Sequence, residues 1–241
     1  MRFGINIKVS KKLWLVPVIV LLPISMLAWR SKPNLPPVII WAWERPEKLG
    51  FINTDLVGVA FLAKTLRLEG DRVITRPRLQ PLELAPGTKL IAVVRIESDH
   101  PTLSSTQLEK AAAEITKLSS LSVVQLDFDA TVSERNFYRR LLVEVRRRLP
   151  SSTKLSITAL ASWCAGDNWL EDLPIDEAVP MLFRMGVDKG LRTFDSAVCR
   201  NAAGVATDEP ITPPAVDRLY IFNPNPWSRD SLNSALEAYK K

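Results

Sequence analysis

Period-two alternation marks the stretch Ser122-Val-Val-Gln-Leu-Asp-Phe-Asp-Ala130. It opens with β-branched residues and then places Gln125, Asp127 and Asp129 on one face and Leu126 and Phe128 on the other. Thr131-Val-Ser-Glu134 follows with capping-box spacing, so this strand turns directly into a helix with Phe137, Leu141, Leu142 and Val145 on its inward face. Comparable runs recur at Val38 to Glu44, Leu56 to Leu62, Lys89 to Glu97, Lys154 to Trp163, Glu177 to Arg184, Asn201 to Glu209 and Arg218 to Asn223. With the central stretch they predict eight strands. Thr65 to Leu68 and Arg72 to Thr75, around Glu69-Gly-Asp71, predict a hairpin appended to the second strand. Lys89 to Glu97 is apolar enough for a strand buried on both faces, as in a parallel sheet. Helical spacing follows Ser104 or Ser105 (Leu108, Ala111, Ala112, Ile115, Leu118) and again Ser228 (Leu232, Ala235, Leu236, Tyr239).

Eight strands separated by helices or loops within residues 38–241 predict a compact α/β domain, a (β/α)₈ barrel. A doubly wound open sheet is the alternative arrangement of the same elements. No glycine-rich phosphate loop follows any strand, which argues against the nucleotide-binding versions of either fold.

The N-terminus has a different pattern. Arg2, Lys8, Lys11 and Lys12 precede an apolar run from Leu13 to Trp29, broken only by Pro17, Pro23 and Ser25. A basic flank before an apolar stretch predicts an export signal over residues 1–30. Ser25-Met-Leu-Ala28 is a poor cleavage site, so an uncleaved signal anchor is preferred to a cleaved signal peptide. Residues 1–12 are then cytoplasmic and residues 30–241 lie in the periplasm or outside the cell, anchored in the inner membrane; the alternative is secretion after cleavage. Residues 31–37, with Pro33, Pro36 and Pro37, form a stiff linker.

Composition refines this picture in one respect. The 241 residues are 46% hydrophobic and 24% charged, an ordinary globular balance, with a net charge of +6. Six Lys or Arg precede the first acid, Glu44, leaving 26 basic and 26 acidic residues after them. The positive charge therefore belongs to the leader, and no nucleic-acid footprint is indicated. The triplet Arg146-Arg147-Arg148 ends a predicted helix, where the dipole favours cations; an interaction patch is the other reading.

At the carboxyl ends of the strands, where α/β barrels carry their sites, stand Trp43 and Glu44, Arg95 and Glu97, Asp127 and Asp129, Ser162 and Trp163, Arg184, Asp208 and Glu209, and Asn223. Carboxylates with tryptophans nearby suit sugar chemistry, with acids for proton transfer and flat rings for pyranose faces. The candidate catalytic residues are Asp129 as acid/base and Glu209 as partner carboxylate, with Asp127 and Glu97 beside them. Trp43, Glu44, Arg95, Trp163, Arg184, Asp208 and Asn223 are the candidate binding residues. Two structural readings compete: Asp127 paired with Arg95 to hold two strands, and Glu209, before Pro210, capping a loop. His100 is the sole histidine and sits in Asp-His-Pro, which disfavours a Ser-His-Asp triad or a histidine zinc site; no metal or cofactor is implied. Cys164 and Cys199 are the only cysteines, and outside the cytoplasm they predict a disulfide between the loop after strand five and the segment before strand seven.

Four segments carry a resemblance: Trp41-Ala-Trp-Glu-Arg-Pro46, Val93-Val-Arg-Ile-Glu97, Val124-Gln-Leu-Asp-Phe-Asp129 and Leu155-Ser-Ile-Thr-Ala-Leu-Ala-Ser-Trp163. Over most of residues 38–225 the chain resembles the bacterial family catalogued as domain of unknown function 3142, which implies a glycosidase-like barrel without implying a reaction. The fourth-strand segment also resembles the Asp-x-Asp-x-Glu signature of chitinase-type barrels, but Thr131 stands where that signature has its acid. The expected function is an extracytoplasmic glycoside-hydrolase-like domain acting on or binding a cell-envelope polysaccharide. The alternative is a non-catalytic carbohydrate-binding or scaffold protein.

Overall fold

β1 (Val38–Ala42) is hydrogen-bonded on both edges, and this closes the sheet into a cylinder. The computed structural model describes residues 35–99, 103–186, 193–209 and 211–239. In chain order its elements are β1, β2 (Glu47–Leu49), β3 (Val57–Glu69), β4 (Arg72–Pro77), β5 (Leu82–Leu84), β6 (Leu90–Ser98), α1 (Ser105–Thr116), β7 (Val123–Asp127), α2 (Arg135–Arg148), β8 (Lys154–Leu160), α3 (Ala161–Cys164), β9 (Glu177–Met181), β10 (Ala202–Ala206), β11 (Arg218–Phe222) and α4 (Arg229–Ala238). Strands β1, β3, β6, β7, β8, β9, β10 and β11 pair in parallel in that circular order, an eight-stranded barrel rather than an open sheet. The predicted leader and His100 lie outside the described residues. Among the described residues no helix is long and apolar enough to cross a membrane.

Most predicted runs are found, with shifted ends. The second strand and the first arm of the hairpin are one continuous strand, β3, which carries a register shift between Leu62 and Lys64 and continues past the barrel to pair with antiparallel β4. The strands at β7, β8, β9 and β10 stop at Asp127, Leu160, Met181 and Ala206, so their charged and aromatic tails lie in connections over the mouth. α1 is capped by Ser104, whose hydroxyl accepts from Gln107 N at 3.2 Å while Gln107 Oε1 accepts from Ser104 N at 2.9 Å. The arginine triplet has structural partners: Arg146 donates to the carbonyls of Pro150 and Thr153, while Arg147 and Arg148 both bind Glu144.

Three apolar clusters follow from the alternation along each strand. The outer faces of β3, β6, β7 and β8 pack on α1 and α2 through residues such as Leu126, Ile157, Ile115, Tyr138 and Leu142. The outer faces of β1, β10 and β11 pack on α4 and on the small β2–β5 pair, through Ile40, Val205, Ile221, Leu49, Trp227 and Leu232. The barrel interior holds Ile39, Trp41, Ala60, Leu62, Ile91, Val93, Val123, Val179, Ala202 and Tyr220.

That interior also contains polar groups, and because an unpaired buried donor costs about 1–3 kcal/mol most of them are linked to one another. Trp41 Nε1 donates to Gln125 Oε1 (3.0 Å), Gln125 Nε2 to Ser156 Oγ (3.1 Å), and Ser156 Oγ to Glu177 Oε1 (3.1 Å). The Tyr220 hydroxyl donates to Glu177 Oε1 (2.8 Å) and Arg218 Nη1 to Glu177 Oε2 (2.7 Å). The Trp41 ring needs room against β10, two strands round the barrel, which Gly204 supplies: a β-carbon there would lie 2.8 Å from Trp41 Cη2. Gly204→Ala is therefore expected to destabilise the fold by about 1–3 kcal/mol, as overpacking does. Trp41→Phe in the same chain should recover part of that loss in a urea-midpoint double-mutant cycle. Additive losses would show that the close approach is not what requires glycine at 204.

Candidate functional site

β6 and β7 are neighbours with Arg95 opposite Asp127 in register, so two inward-facing polar pairs end side by side at the carboxyl-terminal mouth. They line a cleft of about 560 Å³ together with residues of the β7–α2 turn. Arg95 Nε lies 3.4 Å from Glu97 Oε1 on its own strand. Asp127 takes a different partner, the Thr158 hydroxyl of β8, which donates to Oδ1 at 2.7 Å. Arg95 and Asp127 are thus adjacent, but the short contacts of each go elsewhere.

Outward-pointing Phe128 and Ala130, both buried in the outer core, peg the turn and leave Asp127 and Asp129 facing the cleft. Burial pushes the Asp127 carboxyl up to about 6, with the Asp129 charge adding to the rise and the Thr158 hydrogen bond and Arg95 opposing it. Asp129 is exposed at the cleft surface, yet the surrounding protein also raises it above the ordinary carboxylate range, against the pull of Arg95. Beneath them Tyr138 is fully buried among Phe128 and Trp169, and its hydroxyl finds no hydrogen-bond partner. Burial and the two aspartates push its hydroxyl well above the usual phenol range.

The remaining sequence-predicted residues fall elsewhere. Glu209 and Asp208, at the end of β10, stand three strands round the barrel from β7 and do not line this cleft. Both are engaged by Arg184: its backbone N–H donates to Glu209 Oε2 (2.9 Å) and its Nη2 to Asp208 Oδ2 (2.7 Å). Arg184 holds a left-handed backbone (φ 53°) and lays its guanidinium over Phe183 and Phe222, 5.7 and 5.5 Å from their ring centres. Those rings stack on each other at 5.7 Å, and Trp43 meets Phe222 edge-on at 6.5 Å. Glu44 is exposed, with Arg76 3.7 Å away. Asn223 is buried and accepts from the Thr207 hydroxyl at 2.9 Å, so it holds the rim rather than facing solvent.

Trp163 does not offer a stacking face. It is 2% exposed, packs edge-to-face on Trp169 at 4.9 Å, and is covered by the Arg135 guanidinium, which also pairs with Asp167 at 2.8 Å. The helical turn α3, which ends strand five early, drives the indole into the outer core. Cys164 in that turn is bonded to Cys199, with Cα atoms 5.9 Å apart, as the cysteine count predicts.

Three residues were not singled out as site residues from sequence. Glu134 was legible only as a helix cap, yet it lines the cleft. Phe183 and Phe222 read as ordinary strand hydrophobes, although the aromatic ends of the runs at Arg184 and Asn223 are a signal of rim rings. Comparisons with family models, curated proteins and solved structures found no match.

Two expectations follow. Because Asp127 has a raised folded-state pKa, its ionised form opposes folding above about pH 6, and this cost fades as pH falls towards the unfolded carboxylate range near 4. Asp127→Asn should then be about 1–2 kcal/mol more stable than the parent at pH 8, with most of the gain lost by about pH 4 in urea titrations; a pH-independent difference would refute the assignment. Reducing the disulfide, whose cysteines are 35 positions apart, should cost about 3–4 kcal/mol on a chain-entropy account, read as the shift in urea midpoint with and without dithiothreitol.

Proposed function

We propose that the carboxyl-terminal mouth is a carbohydrate site and that this protein is a membrane-tethered, extracytoplasmic glycoside-hydrolase-like barrel acting on a cell-envelope polysaccharide. The observation that carries this reading is the pair Asp127 and Asp129 facing an open cleft, with Asp127 titrating near 6. A carboxyl that keeps its proton to that pH can protonate a glycosidic oxygen as the bond to the anomeric carbon breaks. Asp129 or Glu97, on the same cleft, supplies the negative charge that stabilises the oxocarbenium-like centre or activates water. On this reading the proton donor is the more enclosed Asp127 rather than Asp129. Trp43, Phe222 and Phe183 supply flat apolar surface at the rim, and the disulfide supports an oxidising compartment, in keeping with the basic and apolar N-terminus. The four-segment resemblance to domain of unknown function 3142 agrees with this reading and adds no activity to it.

A second reading is carbohydrate binding without turnover. Two observations favour it: Arg184 occupies the carboxylate of Glu209, and Thr131 fills the acid's place in the chitinase-type signature.

The test is a screen of the purified chain against envelope polysaccharides, with reducing-end release and binding scored separately. Hydrolysis should fall above about pH 6 as Asp127 loses its proton, and Asp127→Asn should lower turnover by about 10²–10⁴-fold while binding persists. Turnover unaffected by Asp127→Asn would remove Asp127 from the chemistry, and binding with no turnover in the parent chain would establish the second reading.

A further inference from the structure

Glu134 is 6% exposed, an unusual setting for a carboxylate, and both of its oxygens have hydrogen-bond donors. Its Oε2 accepts from Thr131 N (2.7 Å) and from the Thr131 hydroxyl (2.6 Å). Its Oε1 accepts from the Ser98 hydroxyl at the tip of β6. Thr131 is two residues beyond Asp129, and Ser98 is the residue after Glu97. One carboxylate therefore ties the tip of the strand that carries Arg95 and Glu97 to the turn that follows Asp127 and Asp129.

A helix cap needs only the Thr131 contacts; the reach across to Ser98 serves no capping purpose. Without it the two tips are joined at this level by ordinary ladder bonds that end at Arg95 and Asp127, below Glu97 and Asp129. With it, the two pairs of polar residues face one cleft at a fixed spacing, and Glu134 itself lines that cleft. Three donors are directed at its two oxygens, an arrangement that suits an anchor.

We propose that Glu134 is a positioning residue, a buried carboxyl group that locks the β6 tip to the β7–α2 turn and so holds Asp127 enclosed and Asp129 on the same cleft as Arg95 and Glu97. The proposal rests on the reading of Asp127 and Asp129 as the centre of the site, but not on any particular substrate. The groups that face Asp127 are Arg95 on β6, Asp129 beyond its own strand, Tyr138 on α2 and Thr158 on β8. Glu134 acts on it through the backbone turn and not through its charge.

Two variants separate those routes in the full chain. Glu134→Gln removes the charge but keeps an acceptor for Thr131 and a polar partner for Ser98, whereas Glu134→Ala removes the tie. The readout is the titration of the Asp127 side-chain carbon followed by ¹³C NMR, which needs no ligand. The expected result is a midpoint near that of the parent in Glu134→Gln and a fall of about one pH unit or more in Glu134→Ala, as the loosened turn admits water to Asp127. An unchanged midpoint in Glu134→Ala, or equal shifts in both variants, would overturn the proposal. Should Glu134→Ala not fold, Ser98→Ala cuts the cross-strand contact while leaving the Thr131 contacts of Glu134 in place and is expected to lower the midpoint in the same direction; no shift there overturns the proposal equally. If the chain hydrolyses no polysaccharide, the proposed function fails while this result stands on its own.

Discussion

Everything in this structure depends on filling the inside of a closed parallel barrel. Eight strands enclose a space that admits side chains from alternate positions only, so each strand's sequence is split into an inward and an outward set. Trp41 is the largest group at the centre, and it imposes two conditions: a glycine across from its ring at position 204, and an acceptor for its indole N–H, which Gln125 provides. Gln125 then needs Ser156, Ser156 needs Glu177, and Glu177 is matched by Tyr220 and Arg218. The chain of donors crosses the barrel from β1 to β7 and returns through β8 and β9 to β11. Once Gln125 faces inward, period-two geometry obliges Asp127 to face inward one step higher, where the barrel opens. The acids at the mouth are a consequence of how the core is packed.

Much of this was legible in the sequence because alternation is a local signal. Gln125, Asp127 and Asp129 could be placed on one face from their spacing alone, and Arg95 could be placed beside Asp127 once their strands were taken as neighbours. The disulfide followed from there being two cysteines and one compartment that would pair them. What was not legible depends on contacts distant in sequence or on backbone detail. Nothing in Glu177-Ala-Val-Pro identifies a carboxylate bonded inside the barrel, because its partners lie 21 and 43 positions away. Nothing local bends the chain at Arg184 into a left-handed conformation that turns Glu209 from a free acid into an ion-pair partner. Trp163 continued an apolar run and read as a strand end; the helical turn that buries it has no distinct sequence mark.

The mouth consequently has two unlike halves. On the β6–β7 side the carboxyls outnumber their cationic partners, and desolvation moves Asp127 towards neutrality. On the β9–β11 side Arg184 neutralises the acids and spreads over paired phenylalanine rings. Groups that repel one another and bind protons differently are what acid–base chemistry requires, whereas a compensated ion pair over aromatic rings is suited to contact. On the proposed reading, chemistry and contact fall to different strands.

Closure through β1 has a consequence for how this chain acquires its structure. β1 is made early and bonds to β3 at once, but its other edge waits for β11, some 180 positions later, as do the Arg45 contacts to Asn223 and Asn225 and the bond from Trp227 to the Trp41 carbonyl. Until Arg218–Trp227 has emerged, the growing polypeptide is a curled sheet with two exposed edges, the form most prone to pairing with a neighbour. Closure thus waits on a pairing of widely separated segments, β1 with β11, and long-range pairing of this kind slows folding.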